Sequence, residues 1–393
     1  MLRGVCLVGL CVLFAPGLAA QEPRDEEETK LTAGWNGENA YIGSSNGEFL
    51  ITFGGRIHTD FRAYTADFAP SNTFLIRRAR FETEGHFFNI FEYKIQADFA
   101  DDESTLLRDG FVNIHTNDIV QVMVGQFKAP FSQEEQQSSK YYGFVERSML
   151  NNLAPGRSPG VMVHGHTENN VFRYGVSFQN DEGELGLNRN GTPDLFAGAR
   201  FEPWTDGVLD TLSFGGGIGY GRRDKERFVT GRTSSRSIVF FDKVPLDGRL
   251  IRRNLEGWFY PGRLLVEAEY DDVRGERRGL GEDGADLPTI RAGGFMVAAN
   301  YVLTGETNEP EEPITPRRPL HEGGPGAWEI GFRYQYFDIE AANRSIEYTV
   351  GVNWWMNAFV RLAVNGGWER FKNPLPSGET SSFAFLTRLG LYF

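Results

Sequence analysis

The sequence predicts an all-β protein, a transmembrane antiparallel β-barrel of about sixteen strands. Three observations support this prediction. Residues 328–393 alternate between apolar and polar side chains, the first twenty residues have the composition of an export signal, and no later stretch has the roughly eighteen apolar residues of a membrane-spanning helix.

The alternation is regular along the C-terminal strands. Ile330, Phe332 and Tyr334 are large and apolar, whereas the neighbouring Glu329 and Arg333 are charged. Because successive side chains of a strand point to opposite faces, the two faces contact different solvents. A soluble β-sandwich also has one apolar face, so the export signal and the composition must distinguish the two environments.

The N-terminus supplies the export signal. Arg3 precedes an apolar stretch, and the small residues Gly17 and Ala19 follow it. This order is typical of a secretory signal peptide, so we expect residues 1–20 to be removed. Both cysteines of the chain, Cys6 and Cys11, lie in this segment. Disulfides are therefore not expected in the mature fold.

An exported chain that crosses a membrane with strands must close them into a barrel, because lipid offers no hydrogen-bond partner to a sheet edge. The 32 Phe, 14 Tyr and 7 Trp suit an outward face with aromatic girdles. We expect a bacterial outer-membrane location, with an N-terminal periplasmic arm over 21–48 and the barrel over 49–393. Outer-membrane lipid and lipopolysaccharide are the expected surroundings.

The predicted strands are separated alternately by short turns and by longer polar loops, which we place in the periplasm and outside the cell, respectively. The connection 304–326 breaks this rule, since it is long but falls on the short-turn side. The strands lie near 49–62, 73–87, 90–100, 106–116, 118–129, 158–167, 170–180, 194–203, 209–223, 250–259, 263–272, 289–303, 327–338, 345–356, 358–371 and 381–393.

Sixteen strands enclose a water-filled lumen, so the inward side chains are the candidate functional residues. Strand parity places Arg78 and Arg80 on one face, and it aligns Arg223, Lys225 and Arg227 as a basic stripe at the outer mouth. Such a stripe would attract anions. The alternative is that these residues bind lipid phosphates or pair with neighbouring carboxylates.

Nine motifs follow one another along nearly the whole mature chain. They are Gly54-Gly55-Arg56, Ile76 to Arg80, Glu92-Tyr93-Lys94, Gly125 to Phe131, Phe144 to Ser148, Ala154 to Arg157, Leu303 to Glu306, Gly326 to Glu329 and Gly351 to Trp355. In this order they resemble the motifs of the phosphate-selective porin O/P family.

The resemblance implies a passive outer-membrane channel for small hydrophilic solutes, among them anions such as phosphate or polyphosphate, usually as a homotrimer and without a cofactor. It also implies one loop folded into the lumen, for which 130–157 is the candidate. The family arginines that line the anion pathway match Arg56, Arg77, Arg78 and Arg147. The candidate constriction residues of the loop are Glu134, Glu135, Lys140 and Tyr141.

The sequence departs from the family where constriction lysines are expected. Glu135 occupies one such position, and Arg291 occupies another and keeps the positive charge. The net charge of −13 is also unusual for a general anion channel. A non-selective or cation-preferring porin is therefore the alternative function, and a structural barrel with a plugged lumen is another.

Other functional classes have less support. No recognisable nucleophile motif accompanies His86 or His115, so we expect no enzyme. His164 and His166 share a strand face, but no third metal ligand is identifiable from their spacing, so no metal site is predicted. An exported acidic barrel has no access to nucleic acid, which excludes it as a partner.

Overall fold

The computed structural model describes residues 29–65, 69, 71–100, 106–204, 207–340 and 342–393. The predicted signal peptide, 1–20, lies outside these residues, as do the side chains of residues 208, 225, 226 and 242. No helix in the described part of the chain is both long enough and apolar enough to cross a membrane.

Sixteen strands, β3 to β18, pair antiparallel in chain order, and β18 pairs with β3 to close the barrel. Arg388 lies opposite Asp60 at this closure. The predicted barrel is thus confirmed. In chain order, β3 to β18 are Phe49–Tyr64, Thr73–Phe87, Phe91–Asp98, Leu107–His115, Gln121–Lys128, Arg157–His166, Phe172–Gln179, Asp194–Phe201, Leu212–Arg232, Val239–Phe259, Leu264–Arg277, Leu287–Val302, Ala327–Ile339, Asn343–Trp355, Val360–Phe371 and Ser381–Tyr392.

The faces of these strands have the polarity expected in lipid. On β16, Val350 is 61% exposed on the outer face, whereas Glu347 on the inner face is 1% exposed. A soluble fold would bury the valine and expose the glutamate. Since the apolar band faces outward around the barrel, its solvent is hydrocarbon.

Two short strands within the predicted arm were not indicated by the sequence. They are β1, Leu31–Trp35, and β2, Ala40–Ser44, which form a hairpin. β2 pairs with the start of β3, where Ala40 lies opposite Phe53. Because β18 pairs with β3 only as far as Arg56, the hairpin covers the edge of β3 beyond that point.

The ninth and tenth barrel strands, β11 and β12, differ from the prediction. Each has 21 residues, and the segment 224–249 that was predicted as a loop is mostly the continuation of this hairpin. Only residues 233–238 form its tip. The interpretation of 224–249 as a loop was wrong because hydrogen bonding between strands continues beyond the apolar band, where the alternation weakens.

The connections define two sides of the barrel. We call the end with the short connections, such as 88–90 and 356–359, the turn side, and the opposite end the loop side. The long connection 303–326 lies on the turn side. The described helices are short: α1, Gln133–Gln136, and the 3-10 turns Met149–Asn152, Val208–Thr211, Glu282–Gly284 and Leu320–Glu322.

Candidate functional site

The turn-side half of the lumen contains a cavity of about 840 Å³, which we call the vestibule. Its wall comes from β3 to β8 and from the segment 130–157, and its mouth from residues 36–39 and 312–315. Eight basic and five acidic residues line it. These are Arg56, Arg78, Arg80, Lys94, Lys128, Lys140, Arg147 and Arg157, and Glu38, Glu82, Glu84, Asp109 and Glu312.

Arg56 joins the barrel wall to the segment 130–157. Its guanidinium donates hydrogen bonds to the hydroxyl oxygens of Ser138 and Ser139 at 2.7 and 3.0 Å, and it lies 3.3 Å from a carboxylate oxygen of Glu82. Lys140 approaches the other oxygen of Glu82 at 3.2 Å. Two predicted pathway and constriction residues thus share one acidic partner.

Arg77 and Arg78 both point inward, although adjacent residues of a strand normally face opposite sides. The pairing of β3 with β4 shifts between His58, which lies opposite Arg78, and Thr59, which lies opposite Ile76. Arg77 is therefore the extra residue of a β-bulge, and a bulge redirects a side chain in this way. Sequence parity alone would have placed Arg77 in lipid.

The two arginines belong to a cluster around a single carboxylate, that of Glu146. Five guanidinium groups lie within 4 Å of it: Arg62 at 2.5 Å, Arg77 at 2.7 Å, Arg388 at 3.1 Å, Arg236 at 3.6 Å and Arg78 at 3.8 Å. Asp60 pairs with Arg62 and Arg388 and adds a second negative charge. Sequence analysis did not identify Glu146 as the centre of this cluster.

Arg147 stabilises the segment 130–157 from within. It lies 2.5 Å from a carboxylate oxygen of Glu135, and it donates to the main-chain oxygens of Glu134 and Glu135 at 2.9 and 2.8 Å. Glu134 in turn accepts a hydrogen bond from the main-chain N–H of Ser148 at 2.6 Å. Glu135 therefore neutralises Arg147.

Further cations of the vestibule were not among the predicted site residues. Arg157 pairs with Asp109 at 2.7 Å, and Lys94 pairs with Glu84 at 2.6 Å. Lys128 donates to the main-chain oxygen of Gln136 at 2.9 Å. Lys94, Lys128 and Arg157 all lie in motifs that resemble the porin family, so the sequence did contain a signal for them.

The remaining predicted residues lie elsewhere. Arg80 pairs with Asp98 at 2.7 Å and lines the vestibule, as does Tyr141. On the loop side, Arg223 pairs with Asp194 at 2.7 Å and also contacts Asp181, and Arg227 contacts Glu182.

Two members of the predicted basic stripe, Arg223 and Arg227, thus pair with carboxylates, as in the alternative interpretation. The Lys225 side chain lies outside the described residues. Arg291 does not join the site, because Ile290 and Ala292 on either side of it are buried inside the barrel while Arg291 is exposed on the outer face.

The segment 130–157 is anchored to inward side chains of the C-terminal strands. Arg361 donates to the main-chain oxygen of Tyr142 at 2.7 Å, and Arg333 donates to that of Glu146 at 2.9 Å. The Asn365 side chain accepts a hydrogen bond from the main-chain N–H of Val145 at 2.6 Å. These contacts join opposite walls of the barrel across the lumen.

The loop-side half of the lumen is occupied by an apolar cluster, which we call the loop-side plug. It joins the segment 130–157 and the tip of the long hairpin to the wall. Phe240 is 2% exposed, and its ring centroid lies 5.7 Å from that of Phe337 and 5.9 Å from that of Phe371. Its other members include Phe144, Met149, Leu150, Ile238 and Ile339.

The long turn-side connection 303–326 contributes to the mouth of the vestibule. Ile314 is buried against Val302, Ala327 and Trp355, which holds the connection to the barrel end. Glu312 then lines the mouth. Burial and the negative charges of Glu38, Glu309 and Glu311 raise the pKa of Glu312, because each disfavours its ionised form.

In the described residues, no three His, Cys, Asp or Glu side chains are grouped as metal ligands. The His164 imidazole lies 3.0 Å from the side-chain oxygen of Asn113, and His166 lies 3.0 Å from the main-chain oxygen of Thr167. Both histidines thus have polar partners at the lumen wall.

Comparison with solved structures shows the porin fold. An anion-selective porin from Comamonas acidovorans matches with a TM-score of 0.58 and 13% identity, over 87% of this chain and 99% of that chain. The channel DcaP of Acinetobacter baumannii matches with a TM-score of 0.55 and 11% identity, over 89% of this chain and 99% of that chain. OmpT of Vibrio cholerae, in its trimer form, matches with a TM-score of 0.56 and 12% identity, over 87% of this chain and 99% of that chain.

No curated protein matches the sequence. The family model described as phosphate-selective porin O and P matches residues 51–373, which is most of the chain. The sixteen-stranded barrel agrees with that match. The chain therefore belongs to the phosphate-selective porin O and P family, whose members are outer-membrane channels.

Proposed function

We propose that this outer-membrane channel conducts small anions, such as phosphate, in preference to cations. One observation carries the proposal: basic residues outnumber acidic ones in the vestibule, eight to five, although the chain as a whole has a net charge of −13. Selectivity depends on the local field within a pore rather than on the total charge of the protein.

The arrangement of the charges favours weak binding of a permeant anion. Lys94 and Lys140 both pair with Glu82, and Arg157 pairs with Asp109. These acidic partners offset part of the positive charge, so the vestibule attracts anions without holding them tightly. A conducting site must release its ion as readily as it binds it.

We further propose that the segment 130–157 narrows the lumen and that the channel assembles as a homotrimer with its turn side in the periplasm. The hydrogen bonds from Arg361 and Arg333 to the segment support the first part. The trimeric form of the similar OmpT structure supports the second.

The test is the reversal potential of single channels in a planar bilayer under a potassium chloride gradient, before and after phosphate is added. We expect a reversal potential with the sign of an anion-selective channel, and a smaller current after phosphate is added. The variant K94Q/K140Q should shift the potential toward the cation side, because Glu82 then loses two of its positive partners.

The variant R249Q/R278Q is the matched control. It also removes two positive charges, but both residues are exposed on the loop side and pair with Glu276. Its reversal potential should equal that of the wild type. A wild-type potential on the cation side, or equal shifts in the two variants, would contradict the proposed selectivity.

A second function has its own supporting observation. The loop-side plug fills part of the lumen with buried side chains such as Phe240, Met149 and Leu150. A barrel closed in this way would serve a structural role. Absence of any conductance from folded, inserted protein would favour this function over the channel.

A further inference from the structure

The outer faces of β14 to β17 carry a row of aromatic residues near the loop side. Ring centroids are 5.7 Å apart for Phe295 and Tyr336, 5.2 Å for Tyr334 and Tyr348, and 6.0 Å for Tyr348 and Trp368. At the other end of the same strands, the Trp328 and Trp354 rings stack with their centroids 5.4 Å apart.

These two aromatic groups mark the limits of the apolar band. Between Trp328 and Tyr336 the strand β15 extends by about 26 Å at roughly 3.3 Å per residue, and a strand tilt of about 40° reduces this to about 20 Å along the membrane normal. The lipid-facing band of such barrels is roughly 25 Å high, so its loop-side limit lies about 5 Å beyond Tyr336. The row at Tyr336 therefore lies just inside the loop-side boundary of the hydrocarbon.

A belt of basic residues follows directly beyond this row, on the same outer face. Arg274 on β13 lies opposite Arg291 on β14, and the main-chain N–H of Lys372 bonds to the main-chain oxygen of Arg344 at 2.9 Å. The six members of this arginine belt are Arg253, Arg274, Arg291, Arg344, Arg370 and Lys372.

The belt is joined to the aromatic row. The Arg344 guanidinium carbon lies 5.1 Å from the centroid of the Tyr336 ring, and that of Arg370 lies 5.3 Å from the Trp368 ring. Such cation–π contacts hold the guanidinium groups just above the rings. Arg344 also pairs with Asp338, whereas the Arg370 guanidinium forms no hydrogen bond within the described residues, so its donors can contact a group at the membrane surface.

Acidic residues of the same face neutralise only part of this charge. Asp272 pairs with Arg274 at 3.2 Å and with Arg253 at 3.5 Å, and Asp338 pairs with Arg344 at 3.0 Å. Glu340 is the third acidic residue beside the belt. It lies next to Arg291, because its main-chain N–H donates a hydrogen bond to the main-chain oxygen of Arg291.

Within the described residues, the side chains of Arg291, Arg370 and Lys372 form no ion pair. Asp272 already pairs with Arg274, but Arg291 lies directly opposite Arg274 without an ion pair of its own, and two like charges directly opposite each other destabilise a sheet. Guanidinium groups bind phosphate oxygens in a bidentate manner, which would relieve that repulsion.

We propose that the arginine belt binds the phosphate groups of a membrane lipid, namely the phosphorylated lipid A part of lipopolysaccharide in the loop-side leaflet. Its acyl chains would lie along the apolar band below the aromatic row, and its phosphates would contact Arg274, Arg291 and Arg370. The inference concerns the outer wall and does not rest on the proposed ion selectivity.

The test measures binding of bis-phosphorylated lipid A to the detergent-purified full chain by native mass spectrometry. The same lipid after removal of its phosphates is the second probe. We expect binding of the phosphorylated lipid only. In R291Q/R370Q we expect this binding to be about thirtyfold weaker, because each of the two basic residues near a membrane surface contributes about 1 kcal/mol to anionic lipid binding.

The control R249Q/R278Q loses the same number of charges from a pair of arginines that already share Glu276, so its lipid binding should stay at the wild-type level. The conservative variant R291K/R370K should retain most of the binding, which separates loss of charge from loss of fold.

Equal binding of the two lipids, equal losses in R291Q/R370Q and its control, or unchanged binding in R291Q/R370Q would overturn the proposal. Displacement of the lipid by an excess of inorganic phosphate would also overturn it, since the belt would then be a general anion site.

Discussion

The two halves of the lumen differ in what fills them. The turn-side half is a vestibule lined by charged side chains, whereas the loop-side half contains the loop-side plug of buried aromatic and aliphatic residues. Charged groups set which ions enter, and apolar packing limits how much can pass. For the proposed channel, we therefore expect selectivity and flow to be controlled at different heights of the same barrel.

Glu146 lies between the two halves, and we expect its substitution to have the largest effect of those considered, a loss of barrel stability. E146Q would leave five arginines facing one another without their shared carboxylate. Removing one partner of a buried ion pair lowers the free energy of unfolding by about 3 to 5 kcal/mol. We expect a clearly lower temperature for the heat-induced mobility shift of the folded barrel on gels.

The control for this change is E322Q on the turn side, since the Glu322 side chain is 66% exposed. Its transition should match that of the wild type. If E146Q were as stable as E322Q, the arginine cluster would not depend on Glu146.

The plug can be tested on its own with F240A. Loss of the contacts of Phe240 with Phe337 and Phe371 should destabilise the packed tip by about 3 kcal/mol, a typical value for a buried phenylalanine. Water can then enter the loop-side half, so single-channel conductance should rise.

F228A is the matched control, because Phe228 lies on the same hairpin but is 41% exposed. A conductance of F240A equal to that of F228A would show that the plug does not limit the flow of ions.

The smallest expected effect is a dependence of selectivity on pH. The pKa of Glu312 is raised by burial and by its acidic neighbours, so Glu312 binds a proton at a higher pH than an ordinary glutamate. As the pH falls from about 7 to about 5, the mouth loses negative charge, and anion preference should increase.

In E312Q this charge is absent at every pH, so the change in reversal potential over the same range should be smaller. An identical pH dependence in E312Q and the wild type would exclude Glu312 as its source.

The sequence was sufficient for the barrel because lipid imposes a strict alternation. Residues such as Val350 and Glu347 could be placed on opposite faces from parity alone. The same reasoning failed at Arg77, where a bulge reverses the parity. It also failed over 224–249, where the hairpin extends beyond the lipid and its tip packs into the loop-side plug, so that neither face follows the alternation that lipid imposes.

The candidate site was harder to predict, since its contacts join residues far apart in the chain. Arg361 and Tyr142 are separated by 219 positions, and Arg62 and Glu146 by 84. Parity places such arginines inside the barrel but does not identify their partners. The resemblance to the porin family supplied Arg56, Arg78 and Arg147, whereas their neutralisation by carboxylates required the structure.

The most direct test of the division between the two halves is to record single-channel current and reversal potential for F240A and K94Q/K140Q in one potassium chloride gradient. We predict that F240A raises the conductance and leaves the reversal potential unchanged, and that K94Q/K140Q shifts the reversal potential toward the cation side with little change in conductance. A shift of the reversal potential in F240A, or none in K94Q/K140Q, would contradict the account.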